Sequence, residues 1–329
     1  MKVSIVTPNY NGLKFLNSYF ESLAIQSRFI EEIIIIDNNS QDGSIQFIEE
    51  FMNSPNYKIP IKLIKNTDNL GFASAVNQGI KIAKSEFIYS VNNDVELEYD
   101  ALENIINATC DAISNGDNPF SCASKMVQFH NRNLIDDAGD EYTLLSWTKK
   151  SGDGQSVNKS RYLEKREIFT SCAGAALYRK SVLEEIGFFD DNFFAYVEDI
   201  DLGYRAQIYG YNNYFIPESI VYHYGSGTSG SRYNEFKIKL AARNNVWLIY
   251  KNFPWPQKIV NFIFYFLGFF IKYLFFVKKG YGNVYLSWIK EALNNKDKIT
   301  KVKFKKANWK NYFKIEWKLI KNTFGLLRK

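Results

Sequence analysis

Four polar clusters and one acidic cluster carry the side chains of this sequence best suited to chemistry. The polar clusters are Thr7-Pro8-Asn9-Tyr10, Asp37-Asn38-Asn39, Asn66 and Asn92-Asn93-Asp94; the acidic one is Glu198-Asp199-Ile200-Asp201. Taken singly, an Asn- or Asp-rich cluster reads as loop chemistry, because these side chains bond their own backbone in turns. Carboxylates have two further uses. Hard divalent cations prefer oxygen ligands, and a carboxylate can take a proton from a hydroxyl. Acids in a first helical turn also complement the helix dipole, so residues 198–201 have a structural reading beside the chemical one. The chain has only two histidines, His130 and His223. His130 sits in no motif and reads as a loop residue.

The elements that must position these side chains follow from periodicity. Val3–Thr7 is a short, β-branched run, and Asn11-Gly12 signals a turn. Leu13, Leu16, Tyr19, Phe20 and Leu23 then recur at helical spacing. Glu32–Ile36 contains four consecutive isoleucines, the pattern of a strand buried on both faces. Ser40 is placed to cap the helix that follows. Ile61–Lys65 predicts a third strand, Ala73–Ala83 a helix and Phe87–Val91 a fourth strand. Strands alternating with helices imply a doubly wound α/β domain with a mostly parallel sheet. Ligands of such sheets bind beyond the carboxyl ends of the strands. All four polar clusters fall at those ends, so together they predict one ligand site. Residues 100–170 are less regular and rich in Asn, Asp and Ser, and Glu198–Ala206 predicts a helix that opens on the acids.

Composition excludes several classes. Apolar residues make up 46% and charged residues 23% of 329, enough for a sizeable core and against global disorder. Cys110, Cys122 and Cys172 are odd in number and far apart, with neither metal-ligand spacing nor a disulfide framework, which fits a reducing compartment. Residues 1–8 enter a strand pattern at once, so no cleavable signal peptide is expected. No Gly-x-Gly-x-x-Gly follows the first strand and no Walker sequence occurs, which disfavours dinucleotide oxidoreductases and P-loop enzymes.

Three stretches in order resemble the GT-A-fold, inverting glycosyltransferases of family 2, nearest to the bacterial rhamnosyltransferase-like branch. They are Val3–Gly12 with Ile36–Ser40, Asn66–Gly79 followed by Asn92-Asn93-Asp94, and Gly187–Arg205. The resemblance covers about residues 1–250. It implies a GT-A domain over 1–250, with a nucleotide-binding half at 1–98 and an acceptor-binding half at 99–250. It implies that Pro8, Asn9, Tyr10 and Asp37 line a nucleoside pocket, with Asn66, Asn77, Asn92 and Asn93 also on the donor. Asp94 would hold Mg²⁺ or Mn²⁺ against the donor diphosphate, where a Lewis acid stabilises the leaving group. Position 92 is Asn where the family pattern has a first Asp, so Asp94 is the lone carboxylate of its turn. His223 would reach the same metal. Asp199 would be the general base, with Glu198 and Asp201 orienting it or binding acceptor, and Gly174 and Ala175 would let the acceptor approach the backbone. Trp147, Arg179, Arg205 and Arg243 are further polar or charged candidates without a distinguishing signal.

The rest of the chain differs in kind. Ile259–Val277 is a strongly apolar and aromatic run of 19 residues. Residues 296–329 carry twelve Lys/Arg against two Asp/Glu, a local charge of +10 that leaves −4 on the remainder. A membrane span, an interfacial helix and a buried core helix all fit the apolar run. Nucleotide sugars are cytosolic, and a single span would place the basic tail outside, against the positive-inside rule. Residues 251–329 are therefore expected to form a hydrophobic helix and a basic, aromatic tail attached to anionic lipid on the inner, cytoplasmic face of the membrane. The alternative is a Lys-rich amphipathic helix closing on the body. The resemblance thus implies inverting transfer of a sugar from a nucleotide-sugar donor, dTDP-rhamnose or a UDP-hexose, to a glycan or lipid-linked acceptor in surface polysaccharide biosynthesis, on a doubly wound mixed sheet and with no nucleic acid partner. Its rivals are a sugar nucleotidyltransferase, disfavoured because the basic loop after the first strand is missing, and a non-catalytic carbohydrate-binding protein.

Overall fold

A computed structural model describes residues 1–55, 57–225 and 234–326. In chain order β1 is Val3–Asn9, α1 Leu13–Ile25, β2 Ile30–Asp37, α2 Ser44–Met52, β3 Ile61–Lys65, α3 Gly71–Ile82 and β4 Phe87–Val91. Next come β5 Val95–Leu97, α4 Ala101–Ser114, β6 Pro119–Gln128, β7 Asn131–Asp137, β8 Asp140–Tyr142 and β9 Thr148–Lys150. These are followed by β10 Arg166–Ile168, β11 Ala175–Arg179, α5 Lys180–Ile186, α6 Glu198–Ile208 and β12 Asn212–His223. Helices α7 Glu235–Asn252, α8 Trp255–Val260, α9 Phe262–Lys278, α10 Gly282–Asn294 and α11 Trp309–Gly325 complete the chain.

The main sheet runs β10-β12-β6-β11-β4-β1-β2-β3, with β5 beside β12 and β7 beside β6. Strands β3, β2, β1 and β4 are parallel, β11 enters antiparallel between β4 and β6, and β12 lies parallel to β6. The sheet is therefore mixed, with the parallel half at one end. The isoleucine run of β2 shows why this half is stable. Side chains alternate along a strand. Ile33 and Ile35 enter one apolar cluster with α1, α2 and α4, while Ile34 and Ile36 enter another with α3 and α5. Ser40 does not cap α2: the helix starts at Ser44, after Gly43, and Ser40 Oγ instead donates to Asp37 at 2.7 Å.

The C-terminal helices pack on the α6 side. Tyr312, Ile315 and Leu319 recur on one face of α11 and join a cluster with Tyr204, Ile208 and Trp247. The tail thus closes on the body along that face, with Lys318 paired to Glu167. Helix α9 behaves differently. Gly268 is its one buried residue, and a Cβ there would lie 1.9 Å from the Leu145 carbonyl oxygen. Trp147 Nε1 donates to the Gly268 carbonyl at 3.1 Å, so the β8–β9 turn grips the helix at this point. At 17 residues α9 is about 26 Å long. Among the described residues no helix is long and apolar enough to cross a membrane. Most of its apolar side chains face outward, Ile263 at 67% and Phe266 at 57% exposed.

Candidate active site

The carboxyl ends of β1, β2 and β4 are tied to one another by side chains. Asn9 Nδ2 donates to Asp37 Oδ2 at 2.6 Å, and Asn93 Nδ2 donates to Asn9 Oδ1 at 2.5 Å. Asp37 also accepts from the Ser40 N–H at 2.8 Å, and it is fully buried. Asp37 therefore organises the loop and keeps little acceptor capacity for a ligand. Asn66 Nδ2 donates to Asn38 Oδ1 at 2.9 Å, which brings in β3. Pro8 is half-buried and Tyr10 is exposed beside them.

Asp94 follows β4 and meets His223 at the end of β12. Their neighbour Val95 is the register partner of His223, so the β5–β12 ladder sets the spacing. His223 Nε2 stands 3.5 Å from Asp94 Oδ2, and Nδ1 is 2.9 Å from Asp136 Oδ2. Asp136 in turn pairs with Lys150 at 3.0 Å. Burial alone would lower the imidazole pKa, but the Asp136 and Asp94 carboxylates push it up to about 9. Two ligand atoms on adjacent octahedral positions of a small divalent ion lie about 3 Å apart. The Asp94–His223 pair, at 3.5 Å, lies near that spacing, and Asp136 orients the imidazole through its other nitrogen; ligation would require Nε2 to give up its proton. Residues 226–228 of the His223 motif lie outside the described residues.

Asp199 lies in the first turn of α6. Its Oδ1 accepts from the Ile200 N–H at 2.7 Å, and Thr170 Oγ1 donates to its carbonyl at 2.8 Å. Burial raises its pKa to about 6, against the opposing effect of backbone N–H groups that include Ala173. Gly174, the next residue, accepts from the Asn92 N–H at 3.0 Å, and Ala175 pairs with Val91. The segment from Thr170 to Gly174 therefore joins the base candidate to the Asn92 turn. Glu198 is buried with Oε2 unpartnered, and burial and then Asp199 raise its pKa well above the usual range.

The segment before α6 is strained. Phe194, Tyr196 and Val197 have φ of 64°, 66° and 72°, which non-glycine residues rarely adopt. Asn244 of α7 holds them, its Nδ2 lying within 2.9 Å of the Phe193, Ala195 and Tyr196 carbonyl oxygens. Gly71 has φ of 85°, and a Cβ there would sit 2.6 Å from the Phe194 carbonyl oxygen. Only glycine lets α3 approach this segment so closely.

This frame matches a family. The family model described as Glycosyl transferase family 2 matches residues 4–187. The chain belongs to glycosyltransferase family 2. A second model, Glycosyl transferase family group 2, matches residues 156–290. Glycosyltransferase GlyG of Streptococcus pneumoniae is 31% identical over 103 residues, 31% of this chain and 33% of that protein. This chain therefore spans only a third of that relative. N-acetylglucosaminyl-diphospho-decaprenol L-rhamnosyltransferase of Mycobacterium tuberculosis is 22% identical over 275 residues, 74% of this chain and 85% of the other. Among solved structures, GalNAc-T7 with UDP, GalNAc and Mn²⁺ superposes with a TM-score of 0.59 at 16% identity, covering 76% of this chain and 47% of that one. That likeness supports the GT-A fold.

Within this family 2 glycosyltransferase, several expected site residues face elsewhere. Asp201 is fully buried and bonded to Arg205 at 2.9 Å, Lys251 at 3.0 Å and Asn252 at 2.7 Å, so it anchors α6 to α7. The reason is helical geometry: at about 100° per residue, positions 199 and 201 point about 200° apart. Asn77, expected on the donor, donates instead to the Phe189 carbonyl and Asp191, both at 2.8 Å, and clasps the segment that leads to α6. Arg205 caps the carbonyls of Ile186, Gly187 and Phe188, and Arg243 those of Asn192 and Phe193. Arg179 faces Glu86.

Sequence reasoning missed a second group of acids. Asp137, Asp140 and Cys172 bring ligand atoms within 4.8 Å of one another. Burial, with Asp199 contributing, raises the pKa of Asp137 to about 6 and that of Asp140 well above the usual range. The signal was present as three acids within five residues around Gly139.

Proposed function

We propose that the enzyme transfers a sugar from a nucleoside-diphosphate sugar to a hydroxyl acceptor with inversion, assisted by Mg²⁺ or Mn²⁺. The observation that supports this reading is that one segment bonds both parts: Thr170 donates to the Asp199 carbonyl and Gly174 accepts from the Asn92 N–H. The nucleoside would lie against Pro8, Asn9 and Tyr10, on the loop that Asp37 holds, with Asn66, Asn92 and Asn93 near the donor. Asp94 and His223 would hold the ion, with donor phosphate oxygens completing its shell. When bound, such an ion supplies Lewis-acid stabilisation of the departing diphosphate. Asp199 takes the proton from the acceptor hydroxyl as that oxygen attacks the anomeric carbon. A pKa near 6 leaves Asp199 ionised at neutral pH while keeping it basic enough for this step. Glu198, Gly174 and Ala175 border the acceptor side.

A lipid-linked or surface-glycan acceptor is favoured by similarity to the diphospho-decaprenol rhamnosyltransferase. The exposed apolar face of α8 and α9, with Trp255 at 74% and Ile263 at 67% exposed, suits the headgroup layer of the inner, cytoplasmic membrane face. A donor panel of UDP-, dTDP- and GDP-sugars, assayed for hydrolysis with Mg²⁺ or Mn²⁺ and after EDTA, tests the reading. Metal-independent turnover with every donor would remove the ion from the mechanism, and no turnover with any donor would overturn the assignment of substrate class.

A further inference from the structure

A cavity of about 850 Å³ lies between α11 and the β10 edge of the sheet, and Asp94, Asp199 and His223 are not among its lining residues. Its walls carry five cations, Arg161, Arg166, Lys314, Lys318 and Lys321, against two carboxylates, Glu141 and Glu167. Glu141 is engaged by Arg161 at 3.4 Å and Glu167 by Lys318 at 2.5 Å. Among the described residues, Arg166, Lys314 and Lys321 make no ion pair, so the lining side chains carry a net positive charge. Arg166 is held in place: its guanidinium lies 4.3 Å from the Phe215 ring centre and donates to the Ala138 carbonyl at 2.6 Å. Burial, and then the charge of Arg161, lowers its pKa to about 10. It still stays charged at neutral pH, and the N–H groups not spent on Arg161, Ala138 and Ser151 can donate to an anion.

The rim of the same cavity is aromatic. Phe313 and Trp317 line it, both 68% exposed, and Trp309 continues the stripe one turn earlier at 50%. Exposed aromatic side chains beside lysines on one helix face suit the bilayer interface, with rings at the headgroup level and ammonium groups on phosphate. We propose that this cavity binds the phosphate of an anionic membrane lipid, with Arg166, Lys314 and Lys321 as its ligands and Trp317 at its mouth. The proposal rests on the membrane-face reading above, but makes a claim of its own: a discrete headgroup site, beyond general attraction of a basic tail.

The test uses the full chain and vesicles of phosphatidylcholine with or without phosphatidylglycerol. Lys314→Glu/Lys321→Glu reverses two exposed cavity charges; Lys303→Glu/Lys306→Glu makes the same net change outside the cavity. The cavity pair is expected to lose about tenfold or more in anionic-vesicle affinity, and the control pair less than about threefold. Unaltered melting temperatures serve as the check on folding. Equal losses in the two pairs, or no loss in the cavity pair, overturn the proposal. A Phe266→Asp/Phe270→Asp variant of α9 separates the two claims. If it loses binding while the cavity pair does not, the membrane-face reading stands and the headgroup site falls. If wild type ignores all vesicles yet inorganic phosphate stabilises it through Lys314 and Lys321, the anion is soluble and the lipid assignment fails.

Discussion

On the proposed reading Asp199 is the general base, and its environment fixes how its removal will read out. Asp199→Asn should lower transfer by about 10²–10⁴-fold while donor affinity, measured by calorimetry, stays within about twofold. Wild-type kcat/KM should rise with pH through about 6 and then level, because the carboxylate is the working form. The same raised pKa has a stability consequence. The folded state holds the proton more tightly than the unfolded chain, so this contribution is full below about pH 4 and lost as pH rises through about 6. Asp199→Asn should therefore melt higher than wild type at pH 7.5, with the gap closing towards pH 4; an unchanged gap would mean that the carboxylate is not desolvated. Asp136→Asn should raise the Mn²⁺ concentration for half-maximal rate by about 10–100-fold, as loss of a histidine's supporting carboxylate does. At this scale much of the site was legible. Asn9, Asn93 and Asp94 converge because strand ends in such a sheet converge. Asp201 and Asn77 spend their side chains on bonds within the fold, which a string of residue types does not state.

At the scale of the element, the segment 194–197 and helix α6 act as a unit. Three left-handed residues in a row of four cost of order 1–3 kcal/mol each, so the surroundings must over-determine them. Asn244 and Gly71 do so from α7 and α3. Asn244→Leu removes one donor shared by three carbonyls, of which Phe193 keeps Arg243, and should cost about 3 kcal/mol by urea denaturation. It should also lower kcat more than it raises the donor KM, because the base is displaced while the strand ends remain. A KM-only effect would show that the segment serves the donor. The strands and helices of the first hundred residues were readable from periodicity nearly to the residue, with β3 and β4 matching in full. The antiparallel entry of β11 was not, because its apolar run has no signal for direction.

At the scale of the whole molecule, the C-terminal helices were only half legible. Composition indicated an apolar helix and a basic, aromatic one, but charge alone did not reveal that Tyr312, Ile315 and Leu319 fasten α11 to the body. Helix α9 is held at Gly268 and by Phe269, Tyr273 and Phe276, which pack against Ile238, Ala242 and Tyr285. Gly268→Val should force the helix off the β8–β9 turn, giving faster proteolysis within residues 255–280 while residues 1–250 melt nearly as before; unchanged cleavage would show that other contacts hold it. One feature of the sheet bears on how an ion would arrive. Asp94 and His223 are set by the Val95–His223 register of a hydrogen-bonded ladder, with no loop between them to be gathered in. An ion captured there need not move the backbone of either residue, so their own part of its calorimetric signature should lack the large heat-capacity change of coupled folding. The frame would accept the ion the way a socket accepts a plug, at a speed set by water exchange around the metal.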